Sequence, residues 1–190
     1  LTKEKHVPWS NQYGFNYKNM VFQNSCFPNC LQMVLANFGT YSRNDILENQ
    51  WDALQVAHHL PGLAAQAPNE DDVNRNLART DLKGAGCRII TPSMLGDYVN
   101  RQALEQETQH YLADYSAMII GVGHATVIYR TTTGFVHVIP SPDINQVHVE
   151  HYANLDLDVV EHQGQHAVRV INRANGQPII AGTFVMLLRP

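Results

Sequence analysis

Two stretches carry residue types that can do covalent chemistry. In Ser25-Cys26-Phe27-Pro28-Asn29-Cys30-Leu31-Gln32-Met33-Val34-Leu35-Ala36-Asn37-Phe38-Gly39 a thiol, Cys26, stands at the start of a predicted helix. Ser25 can cap that helix, Pro28 is tolerated in its first turn, and Gly39 can end it. A thiol placed there sits among unpaired backbone N–H groups at the positive end of the helix dipole. That setting lowers its pKa and favours the nucleophilic thiolate. The second stretch is Gly121-Val122-Gly123-His124-Ala125-Thr126-Val127-Ile128-Tyr129-Arg130. Its glycines let the backbone come close to another element, and the apolar alternation that follows fixes His124 at the head of a strand. A histidine in that place can act as general base, or as ion-pair partner, to a thiol delivered by a distant helix.

The elements that must hold these groups are readable in outline. Leu31, Val34, Leu35 and Phe38 recur at helical spacing, so the cysteine helix should bury one face while its start stays near the surface. Ser42-Arg43-Asn44-Asp45 predicts a second helix running toward His59, with Leu47, Trp51 and Leu54 on one face. Asn69-Glu70-Asp71-Asp72 opens a third with Val73 and Leu77, and Thr91-Pro92-Ser93 a fourth with Leu95, Tyr98 and Val99. Between them lies a short apolar run, Cys87-Arg88-Ile89-Ile90. Residues 1–21 read as an ordered loop with room for one short strand. From Ala117 onward the texture is β: strands are expected at 117–120, 125–129, 135–139, 168–171 and 179–188, with hairpin turns at 131–134 and at Asn175-Gly176. Helices first and an antiparallel sheet second predict an α+β fold. One domain is expected over 1–190, with a helical lobe at about 22–115 and a sheet lobe at about 116–190.

Composition narrows the function classes. The chain has 190 residues and a formal net charge of −4, and its 13 Lys and Arg residues form no run, which argues against a nucleic-acid partner. No apolar run is long enough to span a bilayer, so no membrane association is expected. Leu1-Thr2-Lys3-Glu4-Lys5-His6 lacks the apolar core of a secretory signal. The first residue is not Met, which suits a product that is secreted or excised from a larger precursor. Three cysteines, Cys26, Cys30 and Cys87, are too few for a disulfide framework. Cys30 and Cys87 read as packing residues. His137, His148, His151, His162 and His166 crowd into 30 residues of sequence, but no zinc-ligand spacing appears among them. They read as strand-facing and surface residues, and neither metal nor cofactor is called for.

Ser25-Cys26-Phe27-Pro28-Asn29-Cys30-Leu31-Gln32-Met33-Val34-Leu35 resembles the nucleophile helix of papain-like cysteine peptidases of the bacteriocin-leader-peptidase-like type. The usual form there is roughly Asp-Cys-Gly-Pro-Ala-Cys-Leu-Ala-Met-Val-Leu. Gly123-His124-Ala125-Thr126-Val127 is similar to their histidine-bearing segment. The resemblance covers about a fifth of the chain and departs from the pattern at Ser25 and Phe27. It implies a papain-like fold whose helical half carries the nucleophile, and an Asp or Asn one hairpin after the histidine to orient the imidazole. Asp143 is the carboxylate within reach of that place, with Ser141 as the alternative. The family's oxyanion glutamine lies about six residues before the cysteine, where this chain has Met20; Gln23 is the candidate here, with Asn19 and Asn24 as alternatives. The implied activity is a cysteine peptidase or thiol amidohydrolase using Cys26, His124, Asp143 and Gln23 on a peptide or protein substrate. Two other readings stay open. One is an effector or toxin domain acting as deamidase or protease on a host or competitor protein, with a proteinaceous inhibitor or immunity partner. The other is an inactive papain-like binding module.

Overall fold

The computed structural model describes residues 15–17, 20–22, 30, 31, 34, 38, 70–78, 85–113, 117–121, 124–140 and 147–190. In chain order the elements are β1 (Phe15–Tyr17), β2 (Met20–Phe22), α1 (Glu70–Leu77), β3 (Gly86–Ile90), α2 (Pro92–Gly96), α3 (Tyr98–Ala113), β4 (Ala117–Gly121), β5 (Ala125–Thr131), β6 (Gly134–Pro140), β7 (Val147–Tyr152), β8 (Leu155–His162), β9 (Gln165–Asn172), β10 (Gln177–Gly182) and β11 (Phe184–Arg189). Cys30, Leu31, Val34 and Phe38 are helical.

A six-stranded antiparallel sheet in the order β3-β11-β4-β5-β6-β7 forms the frame, and a three-stranded sheet β10-β9-β8 lies beside it. The central strands are apolar at nearly every position because both faces are covered. On one face Ala117, Ile119, Val127, Tyr129 and Met186 pack against Cys30, Leu31 and Val34 and against Val73 and Leu77 of α1. On the other, Met118, Ile120, Ile128 and Leu187 meet Leu95, Leu104 and Leu112 of α2 and α3 and Leu157, Val168 and Val170 of the smaller sheet.

The β3 edge is closed by side chains that imitate a neighbouring strand. Asn74 Nδ2 donates to the Cys87 carbonyl at 3.1 Å while its Oδ1 accepts the Cys87 N–H at 2.8 Å. Glu70 Oε2 accepts the Ile89 N–H at 2.7 Å. One helical turn thus satisfies the backbone groups of alternate residues on an edge that would otherwise be open to pairing.

The expected architecture needs correcting. Of the described residues 55% are strand and 28% helix, so the described part of the chain is mostly antiparallel β-sheet, and the expected α+β, papain-like arrangement with a helical N-terminal half is not what it forms. Short apolar runs do not distinguish strand from helix, and Cys87–Ile90, placed by sequence within a helical lobe, is a strand of the main sheet paired with β11. β1 and β2 form a hairpin where a loop was expected. β7 and β8 alternate His, Glu or Asp with apolar residues, a pattern that looks polar overall yet has strand period; in β8 the apolar positions Leu155 and Leu157 are buried, whereas residues 148–151 of β7 are exposed. The run 179–188 divides at Thr183 into β10 and β11, which belong to different sheets. The helix expected after Thr91 also breaks: Asp97 is extended, and its Oδ1 accepts the Asn100 N–H at 3.0 Å, capping α3 anew. Tyr98 and Val99 are consequently exposed, and the buried stripe of α3 is Leu104, Thr108 and Leu112. The second helix expected toward His59 lies outside the described residues.

The edge clasp is testable. Asn74→Ala should lower the free energy of unfolding by about 1–3 kcal/mol, because it leaves both polar groups of Cys87 partly buried without partners. Urea denaturation checks this, and an unchanged midpoint and slope would show that solvent serves the edge equally well.

Candidate functional site

His124 is half-buried between β4 and β5, immediately before the first residue of β5. Its position follows from backbone packing. Gly121 pairs with Ala125 across β4 and β5, and a Cβ on Gly121 would stand 1.9 Å from the His124 carbonyl oxygen. The turn therefore folds its own backbone over a bare Cα. From β10, Gly182 reaches the same spot: a Cβ there would meet Ile120 Cγ1 at 2.4 Å and the Gly121 nitrogen at 2.7 Å. Two glycines on different sheets thus fix the height of His124 above the sheet.

From the opposite layer, the Cys30 thiol donates to the Ala125 carbonyl at 3.3 Å and is fully buried. A residue of the predicted cysteine helix, four positions after Cys26, is thereby held against the residue that follows His124. Tyr129, two turns of the pleat along β5, lies in the same core cluster as Cys30. Its hydroxyl has no hydrogen-bond partner among the described residues. Burial, with the nearby Cys30 thiol, pushes the phenol well above its ordinary range, so it stays protonated.

The remaining cysteine on a described element, Cys87, is buried behind α1. Desolvation, reinforced by the Glu70 carboxylate, pushes its thiol up to about 12. It is protonated and unreactive at neutral pH. Cys26, Gln23, Asp143, and the alternatives Asn19, Asn24 and Ser141 lie outside the described residues; of the four proposed catalytic groups, His124 alone falls within them.

Among the crowded histidines, His148 and His151 are on β7, and His162 and His166 are on the β8–β9 hairpin. His137 differs from these. It is buried on β6, and its Nε2 lies 2.9 Å from Thr126 Oγ1. Thr126 Oγ1 in turn lies 3.3 Å from the Ile120 carbonyl. Sequence reading passed over Thr126 and Gly182, although a threonine inside an otherwise apolar strand and a glycine at a strand's end are both usable signals.

No family model matches the chain, and neither a curated protein nor a solved structure matches it.

Gly121→Ala should cost about 1–3 kcal/mol or more, as overpacking does where the obstacle is backbone. It should also displace the His124 imidazole resonances in an NMR spectrum. Unchanged melting temperature and unchanged His124 signals would mean that the close approach does not set the turn.

Proposed function

We propose that the protein is a thiol amidohydrolase, a cysteine peptidase in the broad sense, in which Cys26 is the nucleophile and His124 its base. The observation that supports this reading is the Cys30 hydrogen bond to Ala125. Four residues span about 6 Å as helix and at most about 14 Å fully extended. Chain length therefore permits Cys26 to reach a histidine whose neighbour, Ala125, Cys30 touches. The other two thiols are buried, one committed to a carbonyl and one held protonated, so nucleophilic chemistry falls to Cys26.

In this mechanism His124 takes the thiol proton and the Cys26 sulfur attacks the amide carbonyl carbon, forming a C–S bond as the carbonyl π electrons move to oxygen. The Cys26 backbone N–H and Gln23 hold that oxyanion. Collapse breaks the C–N bond, and the amine leaves with the proton carried by His124. Water, deprotonated by the same imidazole, then attacks the thioester and releases the acid and the free thiol. Asp143 holds the imidazole in the tautomer these transfers need. No cofactor enters any step.

Iodoacetamide at neutral pH should modify Cys26 far faster than Cys30 or Cys87, with the rate falling on the order of a hundredfold or more in His124→Ala. Cys26→Ala should abolish amide turnover while the fold is retained. Equal sluggishness of all three thiols, or full turnover by Cys26→Ala, would overturn the assignment.

A further inference from the structure

On the face of the main sheet that meets α3 and the smaller sheet, a polar row crosses four strands just below the turn that carries His124. Ile120 and Thr126 are paired across β4 and β5, one step from the Gly121–Ala125 pair. Thr126 bridges from the Ile120 carbonyl to His137 Nε2, and His137 stands directly opposite Glu150 on β7. Thr126 and His137 are 3% and 2% exposed.

Proton counting fixes the direction of the row. The Thr126 hydroxyl has one hydrogen, and the Ile120 carbonyl can only accept, so the hydroxyl donates there and accepts from His137 Nε2–H. The reverse arrangement would set Thr126 oxygen lone pairs against the Ile120 oxygen and bury an Nδ1–H with nothing to receive it. His137 is therefore the neutral Nε2–H tautomer. Its Nδ1 is a bare lone pair in the core, without a hydrogen-bond partner among the described residues.

We infer that His137 is a positioning residue for the His124 turn, acting through Thr126, and that it holds the turn only while its imidazole is neutral. The effect on catalysis rests on the thiol-hydrolase reading above. A second proton would go to Nδ1, creating a buried N–H and a buried positive charge at once. The charged groups that face it do little to relieve this. Glu150 on β7 is exposed and engaged by the Tyr152 hydroxyl. Arg130 on β5, a like charge, lies over the Phe135 ring and donates to the Leu112 carbonyl. Glu105 and Glu107 of α3 are occupied by the Val159 N–H and by Arg88. Asp156 and Asp158 of β8 pair with Arg173, just past β9, and with Arg169 of β9, while Leu155, Leu157, Val168 and Val170 of the same two strands face inward.

Burial accordingly lowers the His137 pKa, with Glu150 opposing. The unfolded chain then binds a proton that the folded chain refuses, so stability falls as the pH drops below the ordinary histidine value of about 6.5. The loss continues down to the folded-state pKa and is absent above the unfolded value.

Imidazole nitrogen NMR on the full chain tests the relay. His137 should show the Nε2–H tautomer with a midpoint below that of a free histidine, and the His124 resonances should move as His137 titrates. Thr126→Val should displace the His124 resonances and slow Cys26 alkylation at neutral pH by about tenfold or more. Thr126→Ser, which keeps the hydroxyl, should match wild type in both. In His137→Gln the acid limb at the His137 midpoint should vanish from the alkylation profile; if that variant does not fold, the Thr126 pair decides. An Nδ1–H tautomer, a midpoint at or above the free value, or Thr126→Val behaving as wild type would overturn the inference. If wild-type Cys26 proves inert at every pH, the hydrolase reading fails by itself, and the His124 resonances in the two Thr126 variants still decide the relay.

Discussion

At Gly121 the backbone of β4 passes through a space with no room for a methyl group. The His124 carbonyl closes one side and β10, at Gly182, closes another. Steric exclusion of this kind is stiffer than any hydrogen bond, since a clash of backbone on backbone cannot be relieved by a rotamer change. The turn bearing His124 is consequently set by the two sheets together. The placement of His124 depends on two positions that carry no side chain at all.

The same turn is held from both faces of the sheet. On one side the Cys30 thiol reaches the Ala125 carbonyl, tying a helical layer to the first residue of β5. On the other, Thr126 ties β4, β5 and β6 together beneath it. Each bond is worth only about 1 kcal/mol in net stability, but in a fully buried layer each also excludes alternatives, because a slipped strand would leave a polar atom stranded. The edge clasp of Asn74 and Glu70 acts on the same sheet from a distance. It ends pairing at β3, whose other edge borders β11, and β11 in turn borders β4 at Gly121.

Much of this was legible in the residues. Glycines before a histidine, followed by Ala125-Thr126-Val127-Ile128-Tyr129, announced both the strand and the close backbone approach at its head. The acidic first turn at Glu70, Asp71 and Asp72 announced α1. The overall balance of helix and strand was not legible, for identifiable reasons. Cys87–Ile90 becomes a strand because β11, nearly a hundred residues later, supplies its partner, and no local pattern encodes that. Val147–Tyr152 looked like part of a histidine cluster because composition drew attention away from its alternation. The break at Asp97 depended on whether a carboxylate caps a new helix or decorates an existing one, a choice made by packing of Leu95 and Leu104 on either side. His137 could not be told from its neighbours, because what distinguishes it is burial beside Thr126.

The central claim is spatial: a thiol at position 26 meets the side chain at position 124. Disulfide trapping measures this most directly. With Cys30 and Cys87 replaced by Ala, His124→Cys would supply a second thiol, and mild oxidation can join it to Cys26 only if the two Cα atoms come within about 7 Å. The account predicts rapid, near-quantitative formation of that intramolecular bond, seen by peptide mapping of the non-reduced chain. Two thiols that remain reduced, or that pair only between molecules, would contradict it.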